Sequence, residues 1–383
     1  MPPDSAVALL RDLVAIDSVN PSLAQGAKGE AAVARRIAEE FAAIGLEVHL
    51  VEVEPGRPNV VGVLEGRAPG RALMFCGHTD TVGVTGMDRP FGAEVRDGKM
   101  YGRGAQDMKG GLAAMIDAAR RLVGSGGLEN GRLIVAAVVD EEHASRGAEA
   151  LVAGWRADGA VVTEPTDLDV AVAHKGFQWV TVETRGRAAH GSRPAEGRDA
   201  ILRMGRVLSR LEALGRGLER RSPHALLGTP SLHASLIQGG HELSSYPVRA
   251  WLQFERRTRP GEPADTALRE MLAILDALRI DDPEFEADAH LTFAREPYEV
   301  SAGSDLVVLL EQAARGAGCG SRRVGMTFWT DAAILGEAGI PSVLFGPGGA
   351  GLHSTEEHVR LDDVMRCRDA LVELARAFTT SRT

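Results

Sequence analysis

Apolar runs that stop abruptly at glycine, histidine or acid recur along this chain. Leu73-Met74-Phe75-Cys76 runs into Gly77 and then His78-Thr79-Asp80. Leu133-Ile134-Val135-Ala136-Ala137-Val138-Val139 ends in Asp140-Glu141-Glu142, and Gly159-Ala160-Val161-Val162-Thr163 ends in Glu164-Pro165. Pro341-Ser342-Val343-Leu344-Phe345 gives way to Gly346-Pro347-Gly348-Gly349, with His353 beyond. Runs apolar on both faces are what central parallel strands require. Shorter strands are expected near 47–53 and 59–64. Helical spacing predicts a first helix to about Ile16, capped by Asp4 or Ser5, a second over 29–44 stopped by Gly45, and a third over 112–122. These segments predict an α/β unit.

The middle of the chain has a different period. Phe177–Thr184 alternates like a half-buried strand. A long helix over about 197–214 follows, then strands near 231–238 and 248–255, a helix over 264–278 and a strand near 284–291. The order β-α-β-β-α-β predicts an antiparallel sheet backed by two helices. It reads as a separate domain inserted at 175–290, so that 1–174 and 291–383 form one discontinuous α/β domain.

Composition narrows the function. With 383 residues, 44% hydrophobic and 25% charged, the chain has material for a large core. A net charge of −10 argues against nucleic acid or an anionic membrane as partner. Cys76, Cys319 and Cys367 are few, odd in number and far apart, which points to reduced thiols and a cytoplasmic setting. Met1-Pro2-Pro3-Asp4 has no basic segment followed by an apolar one, so no signal peptide is expected. No apolar run is long enough to span a membrane.

The chemistry sits where the runs end. His78, Asp107, the 141–142 pair, Glu164 and His353 all lie just past apolar strands or, for Asp107, in the glycine-rich stretch Gly102–Gly111 before a helix. Ligands bind outside the carboxyl ends of strands in open α/β sheets. Mixed histidine and carboxylate donors suit zinc, with cobalt or manganese as alternatives, better than calcium or a thiolate site. The Asp80 carboxylate is expected to hold the second ring N–H of His78. In the Glu141-Glu142 pair, one carboxylate can bind metal while the other takes a proton from water.

These motifs resemble the co-catalytic zinc amidohydrolases and peptidases that include acetylornithine deacetylase, succinyl-diaminopimelate desuccinylase, aminoacylase-1 and carboxypeptidase G. The resemblance rests on His78-Thr79-Asp80, Gly102–Gly111, Asp140-Glu141-Glu142, Thr163-Glu164-Pro165, Gly186–Pro194, and Gly346-Pro347-Gly348 leading to His353–Glu357. It implies a zinc-peptidase-like mixed sheet flanked by helices, with an inserted ferredoxin-like α+β lid that also dimerises. It implies two divalent ions. Asp107 bridges them, His78 and Glu164 complete one site, and Glu142 and His353 the other. Asp80 then orients His78, and Glu141 is the general base. His190 resembles the lid histidine that stabilises the oxyanion, often from the other subunit of a homodimer. Arg257, among Arg256 and Arg259, resembles the lid arginine that grips the substrate carboxylate; Ser244 and Gly349 join it as substrate contacts. Ser244 stands where many relatives carry Asn, and Leu352 where small residues are common. The activity implied is hydrolysis of the amide bond of an N-acyl amino acid, with dipeptidase or carboxypeptidase action, or a non-catalytic binding protein, as alternatives.

Overall fold

The sheet grows outward from the strand that ends at His78. In the computed structural model, which describes residues 4–380, Ala68–His78 lies between two parallel neighbours, Asn130–Val138 and Gly159–Val162. Ser342–Leu344 adds in parallel beyond Gly159–Val162 and meets Val170–His174 antiparallel at Leu344–Ala171. On the other side, Arg57–Glu65 and then Glu47–Glu54 extend the sheet antiparallel. Residues 73–76 and 133–138 are fully buried. They touch side chains on both faces, which is why these strands are continuous apolar runs rather than alternating ones. The helices Gly110–Gly124 and Leu361–Thr380 pack on each other and on Ala68–His78. The opening Met1-Pro2-Pro3, on which the expectation of no signal peptide rests, lies outside the described residues.

The chain divides into two compact units. One runs up to Val172 and includes Val300–Gly325 and the chain from Thr330 onward; the other comprises Ala173–Glu299 and Met326–Trp329. The second unit reaches past the expected boundary at 290, because Glu286–Arg295 pairs with Gly176–Arg185 from Arg185 to Phe177. Its sheet runs Ser231–Gly239, Arg249–Thr258, Gly176–Arg185, Glu286–Arg295, all antiparallel. Val180, Val182, Leu252 and Phe254 face Met204, Val207 and Leu211 of helix Ala200–Glu219 and Met271, Leu275 and Leu278 of helix Thr266–Asp281. The period-2 alternation of this sheet has that cause: one face is core and the other is open.

No described helix is long and apolar enough to cross a membrane. Cys76, Cys319 and Cys367 are buried free thiols.

Candidate metal centre

Six candidate side chains from five segments of the first unit come together. The Nε2 of His78 lies 3.0 Å from Asp107 Oδ1 and 3.8 Å from Glu164 Oε1. The Nε2 of His353 lies 3.3 Å from the other Asp107 oxygen, Oδ2, and 3.2 Å from Glu142 Oε2. Asp107 therefore offers one oxygen to each histidine. Donors bonded at 2.0–2.1 Å to a tetrahedral ion stand roughly 3.3 Å apart. The observed separations bracket that value, so the donor set fits two divalent ions. Glu142 supplies a second sign of fit. Its Oε1 is buried and accepts no hydrogen bond among the described residues, a costly state unless a cation compensates it.

Charge in the centre follows from burial and proximity. Burial opposes protonation of His78, but the hydrogen bond to Asp107 and the charges of Glu164 and Glu141 outweigh it and hold its pKa well above the ordinary value. Asp107 and Glu142 together raise the pKa of His353 to about 10. Burial raises Asp107, yet its bonds to His353 and His78 win and leave it below the usual carboxylate range. Burial first, and then crowding by Glu164, Asp331 and Glu142, pushes Glu141 well above that range. Glu141 stands within ligand distance of His78 and Glu164, while His78, Asp107 and Glu142 form a second three-donor group.

Local backbone explains how these side chains converge. Asp107 lies in the turn Ala105–Lys109, three residues ahead of helix Gly110–Gly124, and its side chain faces the histidines instead of capping the helix. Gly111 lets that helix close on the strand end that carries Glu164, since a Cβ there would stand 2.0 Å from the Thr163 carbonyl. Asp140 adopts a left-handed conformation, φ 71°, at a cost of about 1–2 kcal/mol for an L-residue. Its Oδ1 accepts from Arg57 at 2.9 Å and from Asn20 at 3.0 Å. Charge-assisted bonds of this kind contribute about 1.5–3 kcal/mol each, enough to hold the turn that projects Glu141 and Glu142.

The structure changes the reading of Asp80. His78 Nδ1 meets the main-chain oxygen of Asp80 at 3.0 Å, with the nearer carboxylate oxygen at 3.6 Å. A carbonyl only accepts, so Nδ1 carries the proton and Nε2 is left for metal. The Asp80 carboxylate instead accepts the amides of Glu141 and Glu142, each at 3.1 Å. Those amides follow a tight turn and have no strand partner, so they take the carboxylate that the imidazole does not.

Two supports are absent from the expectations. Asn20 lies in Asp17–Ser22, which reads in the sequence only as a helix break. Glu357 closes the His353–Glu357 motif, and its fully buried carboxylate accepts Arg103 at 2.6 Å and the amides of Gly104, Gln106 and Asp107 at 3.0, 2.8 and 3.0 Å. An acid four residues after a candidate histidine ligand was the only available signal. Glu357→Ala strands three amides and a buried guanidinium, so a loss of about 3–5 kcal/mol is expected, read by urea unfolding of the metal-loaded protein. A loss under 1 kcal/mol would show that water replaces the carboxylate.

The remaining candidates divide between the units. Gly349 belongs to the first, and packing alone demands glycine there: a Cβ would stand 2.0 Å from the His358 carbonyl. In the second unit, exposed His190 bridges Ser245, and Gly191 N donates to Ser244 O at 2.7 Å, so the His190 turn and the Ser244 loop lie together. His190 Nδ1 lies 2.8 Å from Ser192 Oγ. Arg256 is fully buried against Glu262 and Glu270, and Arg259 binds the carbonyls of Ser222 and Gly228. Arg257 is half-buried, held through Nε by Glu255 at 2.6 Å and over the Phe177 ring. Of the three arginines it has the most freedom to meet a ligand.

A mixed sheet whose strand ends gather two histidines and four carboxylates, with one carboxylate shared, defines a metal-dependent hydrolase. The chain belongs to peptidase family M20/M25/M40, whose model matches residues 74–377. It is 32% identical to an acetylornithine deacetylase of Myxococcus xanthus, over 85% of each chain. A tripeptidase from Staphylococcus aureus shares the fold, with TM-score 0.83, 21% identity and 98% of each chain covered. So does a dinuclear metal-binding M20 peptidase from Bacillus subtilis, with TM-score 0.76, 15% identity and 98% of each chain covered.

Proposed function

We propose that this enzyme hydrolyses the amide bond of N-acyl amino acids. The observation behind this reading is Asp107, whose two oxygens face His78 and His353 separately. In this reading His78, Asp107 and Glu164 hold one ion and Asp107, Glu142 and His353 the other, zinc before cobalt or manganese. When bound, the ions polarise the scissile carbonyl and lower the pKa of the attacking water. Glu141 takes the proton of that water and delivers it to the leaving amine. Asp80 keeps Glu141 and Glu142 in place through their amides. Arg257 receives the substrate carboxylate; Ser244 and Gly349 contact the substrate. Ser244 offers one donor where an amide offers two, which favours a substrate unlike that of relatives with Asn there. The similarity to acetylornithine deacetylase supports an acyl amino acid; a dipeptide or carboxypeptidase substrate is the second reading, favoured by the peptidases that share the fold. Assaying N-acetyl amino acids against dipeptides with the metal-loaded enzyme separates the two. Higher kcat/KM on dipeptides would overturn the deacylase reading. Buried free thiols support a cytoplasmic setting.

The insert acts as a lid and dimerisation domain in this reading. Its edge strand Ser231–Gly239 exposes Leu236 and Ile237 at 57% and 58%, and pairing with a second copy would cover that edge. His190 donates to the oxyanion of the partner's site. Loss of one such donor costs ~100–1000-fold in kcat. Mixing His190→Ala with Glu141→Gln under subunit exchange is expected to restore activity, because one of the two sites in each mixed dimer is then complete. A mixture that stays inactive would refute action in trans, and a monomer in sedimentation would refute the dimer as well.

A further inference from the structure

Asn20 is fully buried and every hydrogen-bonding atom of its side chain is engaged. Its Oδ1 accepts the Ser22 amide at 2.9 Å, which fixes the orientation of the side-chain amide. Nδ2 then donates one hydrogen to Asp80 Oδ2 at 2.8 Å and the other to Asp140 Oδ1 at 3.0 Å. The backbone around it is held too: Asn20 N donates to Thr81 O and Thr81 N to Ser18 O. Behind Asp140 stands Arg57, doubly bonded to buried Glu30 at 2.6 and 2.8 Å.

The two carboxylates that Asn20 joins have different duties. Asp80 grips the amides of Glu141 and Glu142; Asp140 forms the left-handed turn immediately before them. His78 is held chiefly by main chain: it pairs with Val138, and its Nδ1 lies 3.0 Å from the main-chain oxygen of Asp80 against 3.6 Å from the carboxylate. Glu164 also lies outside this set. The support that Asn20 gives is thus one-sided.

We propose that Asn20 is a positioning residue that places Glu141 and Glu142, and through them governs the ion held by Glu142 and His353 but not the ion held by His78 and Glu164. Without the amide, Asp80 and Asp140 are two buried carboxylates with no donor between them, and they separate. Asp80 then moves off the Glu141 and Glu142 amides. The residue acts through others and touches no substrate.

The inference rests on the assignment of Glu142 to one ion of two, so the test carries its own control. Metal-free wild type, Asn20→Ala and Glu142→Ala are titrated with cobalt by calorimetry and visible absorption. Wild type takes two ions. Asn20→Ala is expected to bind the first with wild-type affinity and the second at least 10-fold more weakly, with kcat down ~100-fold and KM within threefold. Glu142→Ala is expected to take one ion. If Glu142→Ala still takes two, the site assignment fails. If Glu142→Ala loses one while Asn20→Ala keeps both at wild-type affinity, or weakens both equally, the role of Asn20 fails alone. Circular dichroism checks the fold. Should Asn20→Ala melt below assay temperature, Asn20→Ser, which keeps one donor, is titrated instead, and a selective loss of at least threefold at the second ion is the result expected; equal affinities would overturn the proposal.

Discussion

Glu141→Gln lowers kcat by at least ~100-fold while both metal ions stay bound, the lower end of what a positioned proton acceptor contributes. The substitution keeps the shape of the side chain and its amide bond to Asp80 Oδ1. It removes only the capacity to accept a proton. In the metal-free protein burial and the neighbouring Glu164, Asp331 and Glu142 raise the proton affinity of Glu141, and burial persists when ions bind. An ordinary exposed carboxylate, with a pKa of about 4.3, is a poor acceptor for the proton of water. Single-turnover kinetics with metal analysis of the same sample checks this. Near-normal turnover would mean that another group takes the proton; loss of an ion would mean that Glu141 is a ligand.

Removing the metals abolishes activity altogether, and zinc, cobalt or manganese restores it. The pH at which it returns depends on the protons the donors hold, His353 foremost. In the chelated protein His353 has its pKa raised to about 10 by Asp107 and Glu142, and His78 is also held well above its ordinary value. At neutral pH His353 carries a proton that an incoming ion displaces, and the raised proton affinity of His78 acts in the same direction. Apparent affinity therefore rises with pH, by up to about tenfold per unit for each proton released, until pH 10 is approached for His353. Calorimetry in buffers of different ionisation enthalpy measures the protons directly, and a buffer-independent heat at pH 7 would refute the charge state. The same raised pKa stabilises the metal-free fold. That contribution is complete below about pH 6.5, the unperturbed value, and disappears as pH climbs through about 10. A melting temperature of the chelated protein that falls across this window is expected from His353.

That the candidate donors would converge was legible in the sequence because strand ends are. An apolar run buried on both faces is easy to see, and whatever follows it stands at the edge of the sheet. His78, Glu141, Glu142 and Glu164 stand out as candidates in this way. Asp107 and His353 lie on turns, and only the glycine-rich stretches and the family resemblance identified them. The strands Glu94–Arg96, Lys99–Tyr101 and His358–Arg360 are too short to show a period and went unforeseen. Asn20, Arg57 and Glu30 were hidden for another reason. Their meaning lies in which carboxylates they join, and those partners are 60, 120 and 83 residues away for the Asn20–Asp80, Asn20–Asp140 and Arg57–Asp140 bonds. Asp80 shows the converse. Its place beside His78 was plain, but only the fold decides that its carboxylate serves the glutamates and its main chain the imidazole.

The strand Ser342–Leu344 sits between Gly159–Val162 and Val170–His174, and this has a consequence for biosynthesis. A ribosome adds about 5–20 residues per second, so the 167 residues 175–341, the whole insert among them, emerge between the strands that flank this position and the one that fills it. During those many seconds the sheet has a gap at its middle and the chain has no His353. Most of the second unit, Ala173–Glu299 with its own core, has by then been made. Under the proposed assignment the newborn chain has His78, Asp107 and Glu164 for one ion but lacks the His353 of the other. On that assignment the second site becomes complete only after Ser342–Leu344 has emerged, so its formation waits on nearly the whole chain.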